Sequence, residues 1–283
     1  MEPNLTEIFG SFMPWKLDDK TWILQFMNGS EYMYLLEGDE KALLIDTGWG
    51  TGNVRELVEH LTDKPITVVN THFHPDHAGG NGEFEEVYVS SRWEMDAPSL
   101  EPSGVFVIDI SKLPHPDYKK IPIKEGYVFD LGGRKVEVFD AKPAHCNSSI
   151  YLLDRDHRML FTGDEIESAQ TNLFNDPKNE DGSVIDGVQV LKNFRDNVAR
   201  MWDLRDAYDY VLPNHNGTPI AKEYIRDYNE LYDAILEDRV TVEEKLNHKY
   251  IEMDPVAPEL VRVRHANISI FIRRKDLAKA QGK

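Results

Sequence analysis

The chain has 283 residues, of which 41% are hydrophobic, a composition typical of a globular protein with a buried core. A formal net charge of −18 disfavours nucleic acid as a partner, since like charges repel at long range. No apolar run approaches the roughly 18 to 20 residues that a transmembrane helix needs, and the N-terminus does not resemble a signal peptide. The single cysteine, Cys146, excludes an internal disulfide and suits a reducing compartment. We therefore expect a cytoplasmic protein that does not enter a membrane.

Short aliphatic and aromatic runs separated by turns predict strands in the first quarter of the chain. These runs are residues 22–26, 32–36, 42–45 and 66–69. Between the third and the fourth run, apolar residues at helical spacing predict a helix over 54–61, with Thr51 as its N-cap. This order places the segment after residue 69 at the C-terminal end of a strand, where the functional loops of α/β folds gather.

That segment is His72-Phe73-His74-Pro75-Asp76-His77, which carries three imidazoles and one carboxylate within six positions. Imidazole nitrogens and carboxylate oxygens are the ligands favoured by zinc and other late first-row divalent metals. Gly79 and Gly80 follow, and glycine lets the backbone turn tightly at no steric cost. A polar loop enriched in histidine by chance would not need a strand before it and two glycines after it. We interpret the segment as a metal-binding loop.

The rest of the chain alternates between apolar runs and polar, proline- and glycine-containing segments. Strands are predicted at 87–90, 127–129, 135–139, 150–153, 159–161, 210–212 and 268–272. Helices are predicted over 188–201, from Pro219 onwards, and after a capping box formed by Thr241 and Glu244. Residues 92–120 and 168–185 are predicted to be loops that border the site.

Three further candidate ligands, His145, Asp164 and His215, each lie in a loop next to a predicted strand. Taken alone, each also fits an ordinary turn or loop residue. Asp46 ends the predicted 42–45 strand in the same way. It is the joint occurrence of these residues with the histidine loop, in this order, that predicts one shared site.

With these motifs in sequence, the chain resembles the metallo-β-lactamase fold superfamily over roughly residues 20–220. The resemblance implies an αββα sandwich, an α/β (α+β) fold in which two mixed β-sheets pack together with helices on their outer faces. Neither an internal repeat nor a linker divides the sequence. We therefore expect a single domain over residues 1–283, completed by C-terminal helices and a strand at about 219–275.

The resemblance also implies a role for each candidate residue. His72, His74 and His145 would hold one divalent ion, Asp76, His77 and His215 a second, and Asp164 would bridge both. Asp46 would support the histidine loop from outside the ligand set. Both ions are expected to be zinc, although a mixed histidine and carboxylate site also takes iron or manganese. Asp76 and Asp164 would be the catalytic carboxylates, with Asp76 orienting a hydroxide or passing a proton to the leaving atom.

The implied function is a binuclear metal-dependent hydrolase in which a metal-bridging hydroxide attacks a small ester, lactone, thioester or amide. The Asp76–Asn81 run is shared by acyl-homoserine lactonases and glyoxalase II thioesterases, so it does not choose between them. A di-iron redox protein and a non-hydrolytic metal-binding protein of the same fold stay open as alternatives. A phosphodiesterase or nuclease ranks behind them, because it would need a basic channel. The partner expected is a small-molecule substrate, while a homodimer and a role for Cys146 are left open.

Overall fold

The structure is a computed structural model that describes residues 12–26, 31–50, 52–96, 118–246, 249–252 and 254–283. Within these ranges the strands are β1 (Phe12–Asp18), β2 (Thr21–Phe26), β3 (Tyr32–Glu37), β4 (Ala42–Ile45), β5 (Ile66–Val69), β6 (Glu86–Ser90), β7 (Lys119–Ile123), β8 (Val128–Asp130), β9 (Lys135–Asp140), β10 (Ile150–Asp154), β11 (Met159–Gly163), β12 (Gln170–Asn172), β13 (Tyr210–Pro213), β14 (Ile220–Ala221), β15 (Thr241–Glu243), β16 (Leu260–His265) and β17 (Ile268–Arg273). The helices are α1 (Val54–Leu61), α2 (Pro75–Ala78), α3 (Trp93–Asp96), α4 (Gly187–Asp203), α5 (Glu223–Leu236), α6 (Lys249–Glu252) and α7 (Arg274–Ala280).

The described strands form two large sheets and one small one. The first sheet has the order β1-β2-β3-β4-β5-β6-β7, antiparallel as far as β4 and parallel from β4 to β7. The second has the order β14-β13-β11-β10-β9-β8, in which only β11 and β13 run parallel. Both large sheets are therefore mixed, as expected. The small sheet has the order β12-β17-β16-β15.

The two large sheets pack face to face because their strands alternate apolar side chains between two faces. In β4, Leu43 and Ile45 belong to the cluster buried between the sheets, whereas Leu44 belongs to the cluster on the outer face. In β10, Leu152 joins the inter-sheet cluster and Leu153 the outer one. Both faces of these strands are therefore buried, which explains why their sequences read as continuous apolar runs.

Helices cover the outer face of each large sheet. Helix α1 packs its buried residues Val54, Leu57 and Val58 into the outer cluster of the first sheet. Helices α4 and α5 pack against the outer cluster of the second sheet. The layers run helix, sheet, sheet, helix, and the predicted αββα architecture is confirmed.

The C-terminal part adds the small sheet, and two predictions there are wrong. Thr241 and Glu244 do not begin a helix, because 241–243 pairs with β16 as strand β15, where Glu243 forms an ion pair with Arg264 at 2.8 Å. The helix predicted from Pro219 begins at Glu223, since 220–221 pairs with β13 as strand β14. Strand β17 contributes to the outer cluster of the second sheet. Such packing is what a single domain over residues 1–283 requires, although the domain assignment stays a prediction.

Three smaller differences concern the loops and one helix cap. Helix α1 is capped by Asn53, whose side chain accepts a hydrogen bond from the Glu56 amide at 2.9 Å; the predicted cap, Thr51, lies outside the described residues. The predicted loop at 92–120 contains α3 and the start of β7, and its residues 97–117 lie outside the described part. The predicted loop at 168–185 contains β12. Among the described helices, none is long and apolar enough to cross a bilayer.

Candidate metal centre

The seven residues predicted as metal ligands meet on loops that join the strands of the two large sheets. The histidine loop and α2 follow β5, Asp164 follows β11, and His215 follows β13. His145 lies in the loop between β9 and β10. Strand β5 belongs to the first sheet, whereas β9, β10, β11 and β13 belong to the second. The packing of the two sheets therefore brings these loops together.

The side chains form two groups, within each of which the ligand atoms lie within 4.8 Å of one another. The first group is His72, His74, His145 and Asp164, and the second is Asp76, His77 and His215. The structure thus brings together every residue of the predicted ligand set, with Asp164 in the first group. Their role as ligands stays a prediction.

Within each group the ring nitrogens lie close to one another. In the first group, His74 Nδ1 is 3.0 Å from His72 Nε2 and 3.1 Å from His145 Nε2. In the second group, His77 Nε2 is 3.1 Å from His215 Nε2, which is 3.2 Å from Asp76 Oδ2. In each group, several potential metal-binding atoms therefore lie close together.

Asp164 lies between the two groups. Its Oδ2 is 3.6 Å from His72 Nε2 and 3.5 Å from His145 Nε2 on one side. On the other side it is 3.5 Å from His77 Nε2 and 3.3 Å from His215 Nε2. Its Oδ1 is buried and has no hydrogen-bond partner among the described residues. The carboxylate is therefore placed to interact with whatever either group holds.

Partners on the far side of three rings leave the Nε2 atoms free to face the site. His72 Nδ1 lies 3.1 Å from the Thr71 hydroxyl, and His145 Nδ1 lies 3.0 Å from the Asn172 carbonyl oxygen. His77 Nδ1 lies 3.1 Å from Asp46 Oδ2. Such contacts fix the tautomer and orientation of a metal-ligating imidazole.

Asp46 contacts several parts of the site, and its supporting role stays a prediction. Its fully buried carboxylate accepts hydrogen bonds from the Thr71 amide and hydroxyl, both at 2.7 Å. It also accepts a hydrogen bond at 2.7 Å from Nδ2 of Asn214, the residue that precedes His215. Its backbone φ of +64° is unusual for a residue other than glycine. One side chain therefore ties the histidine loop to the loop after β13.

The donor set fits divalent cations. A neutral imidazole that donates from Nδ1 presents a lone pair at Nε2, and two lone pairs facing each other across about 3 Å repel unless a proton or a cation lies between them. Adjacent ligands of a tetrahedral zinc ion, each about 2.0 to 2.1 Å from it, lie about 3.3 Å apart. The nitrogen spacings in both groups are close to that value.

The electrostatics differ between the two groups. Burial lowers the pKa of His145 to about 3 and that of His72 well below its usual value, so both rings are neutral. Burial has the same tendency at His77 and His215, but the carboxylates of Asp164 and Asp76 outweigh it and raise both pKa values. The rings of His72 and His145 in the first group are therefore neutral nitrogen ligands. In the second group, the negative charge of the carboxylates favours positive charge on the rings of His77 and His215.

Gly163 lets Asp164 approach the histidine loop. Its φ is +55°, and a Cβ atom there would lie 2.9 Å from Thr71 Cβ, beside the hydroxyl that contacts Asp46 and His72. We expect Gly163→Ala to destabilise the fold by about 1–2 kcal/mol through backbone strain and by about 1–3 kcal/mol more through overpacking. Urea unfolding monitored by circular dichroism measures the free energy of unfolding.

Gly182→Ala is the matched control for this prediction. Gly182 has a φ of +82° but an added Cβ would meet nothing within 4 Å, so only the backbone strain applies. The free energy of unfolding should fall further in Gly163→Ala than in Gly182→Ala. Equal losses in the two variants would contradict the proposed contact with Thr71.

Cys146, whose role the sequence left open, is a buried thiol. It is 3% exposed, and its Sγ lies 3.1 Å from the Ser149 hydroxyl. Burial raises the pKa of this thiol, which therefore stays protonated at neutral pH. It serves as a small buried side chain beside His145.

Two buried carboxylates next to the site were missed in the sequence. Glu165 follows Asp164 directly, Glu167 lies two residues further on, and they are 1% and 3% exposed. A possible signal was present, since three acidic residues within four positions after an apolar strand are unusual for a buried segment. Nothing in the sequence, however, indicates what these two side chains contact.

Comparison with known proteins gives one family and several relatives. The family model described as the metallo-beta-lactamase superfamily matches residues 28–220. The acyl-coenzyme A thioesterase MBLAC2 of Gallus gallus is 29% identical over 218 residues, which cover 65% of this chain and 71% of that protein. The hydroxyacylglutathione hydrolase of Hyphomonas neptunium is 29% identical over 137 residues, which cover 48% of this chain and 47% of that protein.

Solved structures share the fold. A metallo-beta-lactamase from Pontibacter korlensis superimposes with a TM-score of 0.58 at 21% identity, covering 78% of this chain and 98% of that one. At this level of identity the likeness concerns the architecture alone. It agrees with the helix, sheet, sheet, helix layers described above.

Proposed function

The chain belongs to the metallo-β-lactamase superfamily and is a metal-dependent hydrolase, and we propose that it uses two metal ions to hydrolyse an acyl thioester. The observation that carries the two-metal part is the position of Asp164 Oδ2, within 3.3 to 3.6 Å of ring nitrogens from both groups. A site for a single ion would not need a second group of donors on the other side of this oxygen.

In this proposal each group holds one ion. His72, His74 and His145 hold the first, Asp76, His77 and His215 the second, and Asp164 contributes to both. When bound, such a pair of ions polarises a carbonyl group and lowers the pKa of water towards about 7. Zinc is the proposed metal because nitrogen donors outnumber oxygen donors; iron and manganese accept the same mixed set.

The second group supplies most of the accessible part of the site. The side chains of Asp76 and His215 retain 16% and 14% exposure and His74 of the first group is also partly exposed, whereas His72, His77 and His145 are buried. A substrate would therefore approach past Asp76. His77 and His215 hold the pKa of Asp76 well below its usual value, against the opposite effect of burial. We propose that this carboxylate accepts a proton from the attacking water and passes it to the leaving sulfur.

The substrate class rests on the relatives. The protein of 29% identity that spans 65% of this chain is named as an acyl-coenzyme A thioesterase, which favours a thioester over a lactone, an amide or an oxygen ester. A small molecule is thus the proposed partner, and the cytoplasm is the proposed compartment because the one cysteine is kept reduced there.

The test combines metal analysis with a substrate panel. Protein purified without added metal is analysed for its elements, and the same sample is assayed with a thioester, a lactone, an oxygen ester and a β-lactam. We expect about two equivalents of zinc and turnover fastest on the thioester, with activity lost after chelation and regained on adding zinc.

Other results would overturn parts of the proposal. About one equivalent of metal would contradict the second site, and faster turnover on the lactone or the β-lactam would contradict the substrate class. Two equivalents of iron without turnover would favour the redox alternative. Two equivalents of zinc without turnover on the panel would favour a non-hydrolytic metal-binding protein.

A further inference from the structure

We propose that two buried carboxylates beside Asp164 divide the support of the metal centre, Glu165 positioning His145 in the first group and Glu167 positioning His215 in the second. This inference rests on the proposed two-metal site. It assigns different groups to two residues that are separated only by Ile166. Both are positioning residues, because their hydrogen bonds go to the loops that carry the ligands.

Glu165 supports the loop between β9 and β10. Its Oε1 accepts a hydrogen bond from the His145 amide at 3.4 Å, and its Oε2 accepts one from Asn197 Nδ2 at 2.9 Å. Asn197, on α4, also accepts a hydrogen bond from the Lys142 amide at 2.7 Å and donates to the Lys142 carbonyl oxygen at 2.9 Å. Glu165 and Asn197 together therefore hold residues 142–145 against α4.

Glu167 supports the loop after β13. Its Oε2 accepts a hydrogen bond from Asn216 Nδ2 at 2.6 Å, and Asn216 follows His215 directly. Asn216 has a φ of +65°, a left-handed conformation that asparagine tolerates better than most residues. The side-chain bond therefore restrains the backbone turn immediately next to a predicted ligand.

The backbone of Glu167 is itself anchored to the C-terminal part of the chain. Its carbonyl oxygen accepts a hydrogen bond from the Tyr228 hydroxyl at 3.2 Å, and its amide donates to the Thr171 hydroxyl at 3.2 Å. Tyr228 is fully buried on α5. The clamp on Asn216 thus starts from rigid, packed elements rather than from a free loop.

The remaining oxygen of Glu167 distinguishes this residue from Glu165. Glu167 Oε1 is buried and has no hydrogen-bond partner among the described residues, an arrangement that costs free energy unless something compensates for it. Both oxygens of Glu165, by contrast, accept hydrogen bonds. The two carboxylates therefore face different surroundings.

The first measurement is the zinc affinity of metal-free protein, by titration with Zn²⁺ against a competing chelator at pH 7. We expect Glu167→Ala to weaken one of the two zinc equivalents by about 10- to 100-fold, the usual cost of losing an outer contact to a ligand. Glu167→Gln should retain most of that affinity, because its amide oxygen still accepts the hydrogen bond from Asn216.

Double variants then identify the affected group. In His145→Ala, which damages the first group, adding Glu167→Ala should weaken the remaining zinc by about 10- to 100-fold. In His215→Ala, which damages the second group, adding Glu167→Ala should leave the remaining zinc unchanged. Adding Glu165→Ala should instead weaken the remaining zinc in His215→Ala and leave it unchanged in His145→Ala. A merely structural role would lower both affinities alike, and that result would overturn the proposal.

A second route avoids variants that fail to fold. Asn216→Gly removes the amide that Glu167 binds but keeps a residue suited to a positive φ. It should weaken the same zinc equivalent as Glu167→Ala, and an unchanged affinity would contradict the clamp. One zinc equivalent in the unsubstituted protein would contradict the two-metal proposal itself, and two equivalents in both His145→Ala and His215→Ala would contradict the assignment of these histidines as ligands. If each bound one but the glutamate variants showed no preference, only the present inference would fail.

Discussion

Replacing Asp164 with alanine should abolish metal-dependent hydrolysis while leaving the protein folded. Its Oδ2 lies within 3.6 Å of ring nitrogens from both groups, so its loss would remove a ligand from two sites at once. Removing a single oxyanion-hole donor already costs about 10²- to 10³-fold in rate, and we expect kcat here to fall by more. The measurement is turnover of the best thioester, with metal content determined on the same sample.

The fold should survive because Asp164 contributes little to it. Its buried Oδ1 has no hydrogen-bond partner among the described residues, and the ion pairs of its Oδ2 are with predicted ligands. Asp18→Ala is a suitable control, since Asp18 is a partly exposed aspartate paired with His157 at 3.1 Å on the surface. It should leave both turnover and metal content unchanged. Retained activity in Asp164→Ala would refute the bridging assignment.

Asp76→Ala tests the role proposed for the accessible carboxylate. Asp76 lies only in the second group, so the variant should lose zinc from that group and keep the first equivalent. The contrast with Asp164→Ala therefore separates the two groups in metal content, even though both variants lose turnover. If Asp76→Ala retained two equivalents, its assignment as a ligand would be wrong.

The ligand set could be predicted because each of its members stands at a recognisable place in the sequence. His72 to His77 lie within one loop after an apolar run, and Asp164 and His215 follow short β-branched or aliphatic strands. Local hydrophobic patterns mark such strands well when both faces are buried, as they are in β4 and β10. The architecture followed from the family resemblance that these motifs carry.

The parts that were not predicted depend on pairing between distant segments. Strand β15 reads as a helix start because Thr241 and Glu244 have the spacing of a capping box, but pairing with β16 overrides that local preference. Helix α5 begins later than predicted for the same reason, since 220–221 pairs with β13. The contacts of Glu165 and Glu167 join loops far apart in sequence, so no local pattern could reveal them.

A buried ion pair at the other end of the sandwich gives the largest expected effect on stability. Arg134, directly before β9, and Asp154, the last residue of β10, are 1% and 0% exposed, and Arg134 Nε donates to Asp154 Oδ2 at 2.6 Å. The same guanidinium donates to the Lys20 carbonyl oxygen at 2.7 Å, in the turn between β1 and β2, and to the Thr21 hydroxyl at 3.0 Å, at the start of β2. It thereby fastens the two sheets together away from the metal centre.

Arg134→Met should lower the free energy of unfolding by about 3–5 kcal/mol, because it leaves the Asp154 carboxylate buried without its cation. Urea unfolding measures the loss, and zinc content should not change, since the pair lies at the opposite strand ends. Arg155→Met breaks an exposed pair with Glu137 and should have little effect on stability.

The double variant Arg134→Met/Asp154→Leu tests whether the unpaired charge is the cause. Removing both charges eliminates the uncompensated carboxylate, so the double variant should be more stable than Arg134→Met alone. Recovery will be incomplete, because Asp154 Oδ1 also accepts a hydrogen bond from the His157 amide at 3.0 Å in the turn before β11. If the double variant were no more stable than the single one, the lost hydrogen bonds to Lys20 and Thr21 would be the main contribution of Arg134. The guanidinium would then act as a link between the sheets rather than as the partner of a buried charge.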